Sequence, residues 1–156
     1  MDTQTTELVG THRLASELIQ AGLEVAFPAR DRGVDLIAYV EIGQRSGQFI
    51  ARPIQLKVAS GRSFNLLRKY QRIHNLILAY VWHVGATESE TYALTYDEAG
   101  VIAEEMNWTT TDSWRKGGGY GTTRPTPKLL ALLKPFRMTP DKWWLKVTGE
   151  SRVVES

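Results

Sequence analysis

The segment PIQLKVASG, residues 53–61, places an amide and an ammonium side chain two positions apart. Its apolar residues recur at every second position, which predicts a β-strand with one apolar face. Gln55 and Lys57 then share the opposite face. An amide oxygen can bind a hard cation, and an ammonium can stabilise charge that forms on a phosphate. The alternative is an ordinary strand face in contact with solvent.

Asp35 lies at the start of a second predicted strand, residues 34–41. The turn IGQRSG joins this strand to the one that carries Gln55 and Lys57. Across such a hairpin the carboxylate of Asp35 can meet both side chains. A carboxylate and an amide oxygen suit Mg²⁺, which binds one or two carboxylates together with other oxygens. The alternative is that Asp35 is a turn residue after Gly33.

Glu17 is the acid of the first predicted helix, residues 3–22, that could join this group. On an ideal helical wheel it lies about 60° from Leu14, at the border of the apolar sector. A helix packed on the sheet could therefore hold Glu17 over the edge of the sheet. The alternative is a surface glutamate paired with Arg13 at i−4.

The remaining elements follow from apolar periodicity and turn residues. The predicted order is α-β-β-β-α-β-β-α, which indicates an α/β fold. The predicted strands are residues 23–27, 34–41, 48–59, 76–84 and 90–96, and the helices are residues 3–22, Ser63 or Asn65 to about 73, about 95–106 and 128–136. The glycine-rich segment RKGGGYGTTRPTP is predicted to be a flexible basic loop.

In this order, Asp35 and the Gln55-x-Lys57 pair resemble the motif of the PD-(D/E)XK nuclease superfamily. Gly33 before Asp35 matches the frequent G-x-D form, and the resemblance covers about residues 7–84. It implies a restriction-endonuclease-like core of order α-β-β-β-α-β, with a mixed central sheet flanked by helices and a C-terminal extension. Gln55 departs from the usual carboxylate, although a Q-x-K variant occurs in some small homing endonucleases.

The resemblance implies a DNA endonuclease that depends on Mg²⁺ or Mn²⁺. Asp35 would be the main metal ligand, Gln55 a weaker one, and the backbone carbonyl of Leu56 a third. Lys57 would orient the attacking water, and Glu17 would be the accessory acid. Because glutamine lacks the negative charge, a catalytically inactive module that binds nucleic acid or protein is the alternative.

A third possibility is an accessory subunit of a larger assembly. Trp143 and Trp144, close to the C-terminal end of the sequence, would then form its interface, or they could stack on bases. Their ordinary role would be to pack the tail onto the body of the protein.

The bases are distributed unevenly. Residues 42–87 and 113–140 contain no acid, and together they hold thirteen of the nineteen Lys and Arg residues. Such clusters neutralise phosphates and release counterions, so they indicate a surface for a polyanion, with scatter on a soluble surface as the alternative. The predicted nucleic-acid-binding residues are Arg45, Arg52, Arg62, Arg68, Lys69, Arg72, Arg115, Lys116 and Arg124.

Length and composition set the remaining expectations. A chain of 156 residues is most simply one domain, here with a core of about 7–96 and further helices and the basic loop in 97–156. It has no cysteine, which excludes disulfides and fits a cytoplasmic protein. No apolar run approaches the length of a membrane span, so we expect no membrane partner. A second copy of this chain, in a homo-oligomer, is a further candidate partner.

Overall fold

In the part of the chain that the structure describes, residues 1–43 and 47–151 of a computed structural model, five strands form one mixed sheet and two form a smaller one. The strands are β1 (Glu24–Ala26), β2 (Leu36–Ile42), β3 (Gln48–Val58), β4 (Phe64–Leu67), β5 (Ile77–Trp82), β6 (Glu90–Thr95) and β7 (Gly119–Thr122). The helices are α1 (Thr3–Gln20), α2 (Tyr96–Glu105), α3 (Asp112–Gly117), α4 (Pro127–Leu133) and α5 (Pro140–Thr148). The predicted α/β class, with a mixed sheet flanked by helices, is confirmed.

The large sheet has the order β1-β2-β3-β5-β6. Its neighbours are antiparallel except β3 and β5, which run parallel. Leu36 pairs with Ile54, so Asp35, one residue before β2, lies beside Gln55. Lys57 pairs with Tyr80 in the centre of the sheet.

The large sheet separates two apolar cores. The apolar residues on the Ile54 face of β3 pack with α1 and α5, whose buried residues include Leu14 and Trp143. The opposite face of the sheet packs with α2, α4 and the β4–β7 sheet. The segment predicted as an extension after residue 96 therefore contributes to both cores. Within the described residues, no helix combines the length and apolar character needed to cross a membrane.

The helix predicted from Ser63 or Asn65 to about residue 73 is wrong. The structure has strand β4 there, followed by a 3-10 helix, Arg68–Arg72. Phe64 and Leu66 are both fully buried and alternate with more exposed neighbours, which is the pattern of a strand. The partner of β4 is β7, part of the glycine-rich segment that was predicted to be a flexible loop.

Helix α1 approaches β3 closely at Gly10. A Cβ atom at this position would lie 2.5 Å from Cγ2 of Val58, so a larger residue would push the helix away from the strand. This contact sets α1 against the carboxyl end of β3, where Lys57 lies. The first turns of α1, with Glu7 and Thr11, thereby reach the same region.

Candidate active site

Asp35 is fixed to β3 by two hydrogen bonds. Its backbone N–H donates to the carbonyl of Ile54 at 2.8 Å, and its Oδ2 accepts from the backbone N–H of Leu56 at 2.7 Å. The carboxylate therefore lies directly against the segment that carries Gln55 and Lys57. Oδ1, the second oxygen of the same carboxylate, can serve a ligand without breaking this contact.

Gln55 carries an unsatisfied acceptor. Its Nε2 donates weakly to the carbonyl of Leu56 at 3.5 Å. Its Oε1 is buried and has no hydrogen-bond partner among the described residues. Burying such an oxygen costs folding free energy unless a donor or a cation reaches it. The Gln55 side chain lines a cavity, and the oxygen itself has almost no accessible surface there.

Lys57 is held by an aromatic residue. Its Nζ donates to the hydroxyl of Tyr70 at 2.8 Å and lies 4.9 Å from the centre of the same ring. Tyr70 itself is buried. One of the three ammonium protons is therefore bound to Tyr70, and the other two can bind a ligand in the cavity.

These side chains line one cavity of about 410 Å³ between the start of β2 and the end of β3. Glu7, Asp31, Asp35, Gln55 and Lys57 are among its lining residues. Burial raises the pKa of Asp35 above its usual 3.8, and the charges of Asp31 and Glu7 raise it further. The hydrogen bond from the Leu56 N–H and the charge of Lys57 oppose this rise. A bound cation would offset the repulsion among the three carboxylates.

The oxygen atoms present fit a hard divalent cation. Asp35 can supply a carboxylate oxygen, Gln55 its unpartnered Oε1, and Leu56 a backbone carbonyl. No group of three or more His, Cys, Asp or Glu side chains arranged for a metal is present in residues 1–43 and 47–151. Cation binding would therefore depend on one carboxylate and two neutral oxygens, with Glu7 and Asp31 elsewhere on the lining of the same cavity.

Glu17 lies elsewhere, which corrects the predicted site. Its Oε1 accepts from the Thr91 hydroxyl at 2.7 Å, and its Oε2 accepts from the indole N–H of Trp143 at 3.3 Å. Burial raises its pKa, although both hydrogen bonds and Arg13 oppose the rise. Glu17 therefore links α1 to β6 and α5 and is not among the residues that line the cavity.

Glu7 takes the place that was predicted for Glu17. It lies in the second turn of α1 and lines the cavity together with Thr11, one turn later. The sequence contained a signal for this placement, because the intervening Gly10 permits the close approach of α1 to Val58. Asp31 was also missed. It lines the cavity from the turn before β2, where its Oδ1 accepts from the N–H of Gly33 at 3.2 Å.

The predicted basic residues divide into three groups. Arg45 lies outside the described residues. The prediction that Arg52 binds nucleic acid is corrected. Its side chain is on the α5 face of the sheet and donates to the carbonyls of Asn75 and Lys146. The remaining seven are exposed: Arg62, Arg68, Lys69, Arg72, Arg115, Lys116 and Arg124. Arg62 lines a neighbouring cavity that shares Ser63 with the candidate site.

Trp143 packs the C-terminal helix onto the body of the protein. It is 1 % exposed and donates to Glu17, so it is not accessible for stacking on a base or for an interface with a partner. Trp144 is partly buried against the same core. The structure therefore shows the alternative interpretation of these tryptophans, in which they pack the C-terminal helix onto the body of the protein.

Comparison with protein-family models, with curated proteins and with solved structures finds no match to this chain. The functional argument therefore depends on the geometry of the site.

Replacing Gln55 with glutamate is expected to increase the affinity for Mg²⁺ by about tenfold, because it adds a charged oxygen beside Asp35. Without the cation, the same change should lower the thermal stability at neutral pH through repulsion between the two carboxylates. Isothermal titration with Mg²⁺ and thermal unfolding in EDTA measure the two effects.

Gln48→Glu is the matched control, because Gln48 is exposed at the other end of β3. It should change neither the Mg²⁺ affinity nor the stability in EDTA. Equal Mg²⁺ affinity in Gln55→Glu and the wild type would show that Gln55 does not face a cation.

Proposed function

We propose that this protein is a metal-dependent DNA endonuclease of the PD-(D/E)XK kind. The observation that carries the proposal is that Asp35, Gln55 and Lys57 line one cavity, and that the buried Oε1 of Gln55 has no hydrogen-bond partner. The order of the sheet supports it, since three antiparallel strands are followed by a parallel neighbour, as in a restriction-endonuclease-like core. In place of the helix expected between these strands, the chain has β4 and the 3-10 helix.

The reaction would be hydrolysis of a phosphodiester. The oxygen of a water molecule forms a bond to phosphorus and releases one proton to the solvent, one bridging P–O bond breaks, and the leaving oxygen takes up a proton from the solvent. A divalent cation bound to Asp35, Gln55 and Leu56 would supply Lewis-acid activation of this step. Lys57 would donate its free protons to the phosphate or the attacking water and stabilise the charge that develops. Tyr70 holds the ammonium in place during this step.

The electrostatics of the cavity favour this division of roles. Glu7, Asp31 and Asp35 form an acidic side of the cavity, and Lys57 supplies the positive charge. A phosphate would be repelled by the carboxylates in the absence of a cation, so metal and substrate should bind cooperatively. Because the pKa of Asp35 is raised by burial, cation binding should weaken at a higher pH than for an ordinary aspartate as the solution is acidified.

A binding module without catalysis is the second candidate. It is favoured by the neutral Gln55, since a single carboxylate in contact with the cation attracts it less strongly than two. Such a module would bind DNA with a marked salt dependence but would not cleave it.

Plasmid nicking with Mg²⁺ or Mn²⁺, against the same reaction in EDTA, is expected to convert supercoiled DNA to the open-circular form only with the cation. The DNA affinity at several salt concentrations is measured in parallel by fluorescence anisotropy. Salt-dependent binding without nicking would replace the endonuclease with the binding module, and absence of both would contradict the two candidates.

A further inference from the structure

The 3-10 helix that follows β4 distributes its side chains onto three sides. In such a helix, side chains three positions apart eclipse each other. Tyr70 is buried, and Leu67 and Ile73, three positions before and after it, pack partly against the same core. Lys69 and Arg72 are also three positions apart, so they share a second side, and both are exposed. We call this the Lys69–Arg72 side.

The buried tyrosine connects this side to the candidate active site. Its hydroxyl accepts from Nζ of Lys57, and this nitrogen lies 4.9 Å from the centre of the Tyr70 ring. Nζ of Lys69 lies 5.4 Å from the centre of the same ring. The two ammonium nitrogens can therefore be no farther apart than the sum of these two distances. A polymer with one phosphate at Lys57 is within reach of Lys69.

Arg72, at the other end of the same side, lies beside the turn that leads into β2. A Cβ atom at Gly33 would lie 3.7 Å from Nη2 of Arg72. The N–H of Gly33 donates to Asp31, which lines the cavity of the candidate active site. Within the part of the chain that the structure describes, neither Lys69 nor Arg72 forms an ion pair with an acid. Both bases can therefore bind an anion from outside the protein.

Arg68 belongs to the third side of this 3-10 helix and has a different environment. Its guanidinium carbon lies 5.9 Å from the centre of the Trp114 ring, and its Nη1 donates weakly to the carbonyl of Trp114 at 3.5 Å. Trp114 belongs to α3. The charge of Arg68 is therefore directed to α3, whereas the charge of Lys69 lies at the ring that holds Lys57.

We propose that the Lys69–Arg72 side binds backbone phosphates of the DNA strand that is cleaved, beside the phosphodiester held by Lys57. The inference rests on the proposed endonuclease function and names the path of the substrate over the protein. Tyr70 fixes the position of Lys57 relative to this side, so binding of the strand also aligns it with the ammonium. Contacts to phosphates release counterions and carry no sequence information.

The test compares two double variants that lower the net charge equally. Lys69→Gln with Arg72→Gln neutralises the Lys69–Arg72 side. The control, Arg68→Gln with Lys134→Gln, neutralises one base on another side of the same 3-10 helix and one exposed lysine outside the cavity. The probes are two short labelled DNA duplexes of unrelated sequence, in EDTA to prevent cleavage. Fluorescence anisotropy at several salt concentrations measures binding, and thermal unfolding verifies the fold.

The variant of the Lys69–Arg72 side should bind both duplexes about tenfold more weakly, and its salt slope should fall by about 1.8, or about 0.9 for each lost phosphate contact. The control variant should stay within about twofold of the wild type. Equal losses in the two variants, or no loss in either, would overturn the proposal. A loss confined to one of the two duplexes would show that these bases do not act on the backbone.

Cleavage separates this proposal from the endonuclease itself. At limiting DNA, the variant of the Lys69–Arg72 side should cleave about tenfold more slowly, and saturating DNA should restore most of the rate, because the ammonium of Lys57 is still present. Saturating DNA should not restore the rate of Lys57→Ala. Wild type that shows the expected binding pattern without nicking would contradict the endonuclease alone. Nicking by the wild type, with an unchanged rate in the variant at limiting DNA, would contradict the role of the Lys69–Arg72 side alone.

Discussion

Lys57→Ala is expected to lower Mg²⁺-dependent cleavage by about 10²- to 10³-fold while leaving Mg²⁺ binding intact, because the proposed role of the ammonium is to act on the phosphate or the attacking water and not to bind the cation. Asp35→Asn should abolish cleavage and also weaken Mg²⁺ binding, because it removes the carboxylate of the proposed cation site. Nicking rates and isothermal titration with Mg²⁺ separate the two roles.

The two variants should fold normally. Asparagine at position 35 retains an oxygen that can accept from the N–H of Leu56. Because burial raises the pKa of Asp35, its ionised form opposes folding as the pH rises above that pKa, so Asp35→Asn should not lower the melting temperature at neutral pH. Lys57→Ala leaves the hydroxyl of Tyr70 without its donor, and the cavity can admit water to it.

Tyr70→Phe and Lys134→Ala are the controls for Lys57. The first keeps the ring under the ammonium but removes the hydroxyl, so it should reduce cleavage by less than Lys57→Ala. The second removes an exposed lysine outside the cavity and should have no effect. If Lys57→Ala cleaves as fast as Lys134→Ala, Lys57 has no catalytic role.

The parts of the fold that were predicted correctly are encoded locally. The alternation around Ile54 predicts both β3 and the common face of Gln55 and Lys57, because strand geometry alone determines it. The helix predicted at about 95–106 is likewise present as α2, and it begins with a local signal, the capping box of Thr95 and Glu98. Such features can be predicted from the local sequence without knowing which element packs against them.

The incorrect helix depends on a distant partner. Residues 64–67 become a strand because they pair with residues 119–122, more than fifty positions later. Tyr80 and Trp82 hold the start of this segment by donating to the carbonyls of Asn65 and Ser63. Local propensity carries no information about these contacts, and tertiary pairing determines the outcome.

The choice between two glutamates on α1 shows the same limit for the site. A helical wheel tells which residues border the apolar face, and Glu17 satisfies that criterion. It does not tell which end of the helix reaches the cavity. The contact of Gly10 with Val58 determines this, and it brings Glu7 to Asp35.

Glu7→Gln and Glu17→Gln are therefore expected to differ in their effects on function, and only Glu17→Gln should change the pH dependence of stability through the titration of Glu17. Glu7→Gln should reduce Mg²⁺-dependent cleavage by about tenfold at limiting Mg²⁺, because it removes a negative charge that attracts the cation to the cavity. Its melting temperature in EDTA should stay the same or rise, since the charge of Glu7 raises the pKa of Asp35. Glu17→Gln should leave the cleavage rate and the Mg²⁺ dependence unchanged.

The stability of Glu17→Gln should instead depend on pH. Burial raises the pKa of Glu17 above 4.5, so in the wild type its contribution to stability is fully present below pH 4.5 and is lost as the pH rises through the folded-state pKa. The variant has no such titration, and it retains an acceptor for Thr91 while losing one for Trp143. Its melting temperature relative to the wild type should therefore increase between pH 4 and pH 7. A cleavage defect in Glu17→Gln, with normal cleavage in Glu7→Gln, would return the accessory acid to Glu17 and contradict the placement of the site at the start of α1.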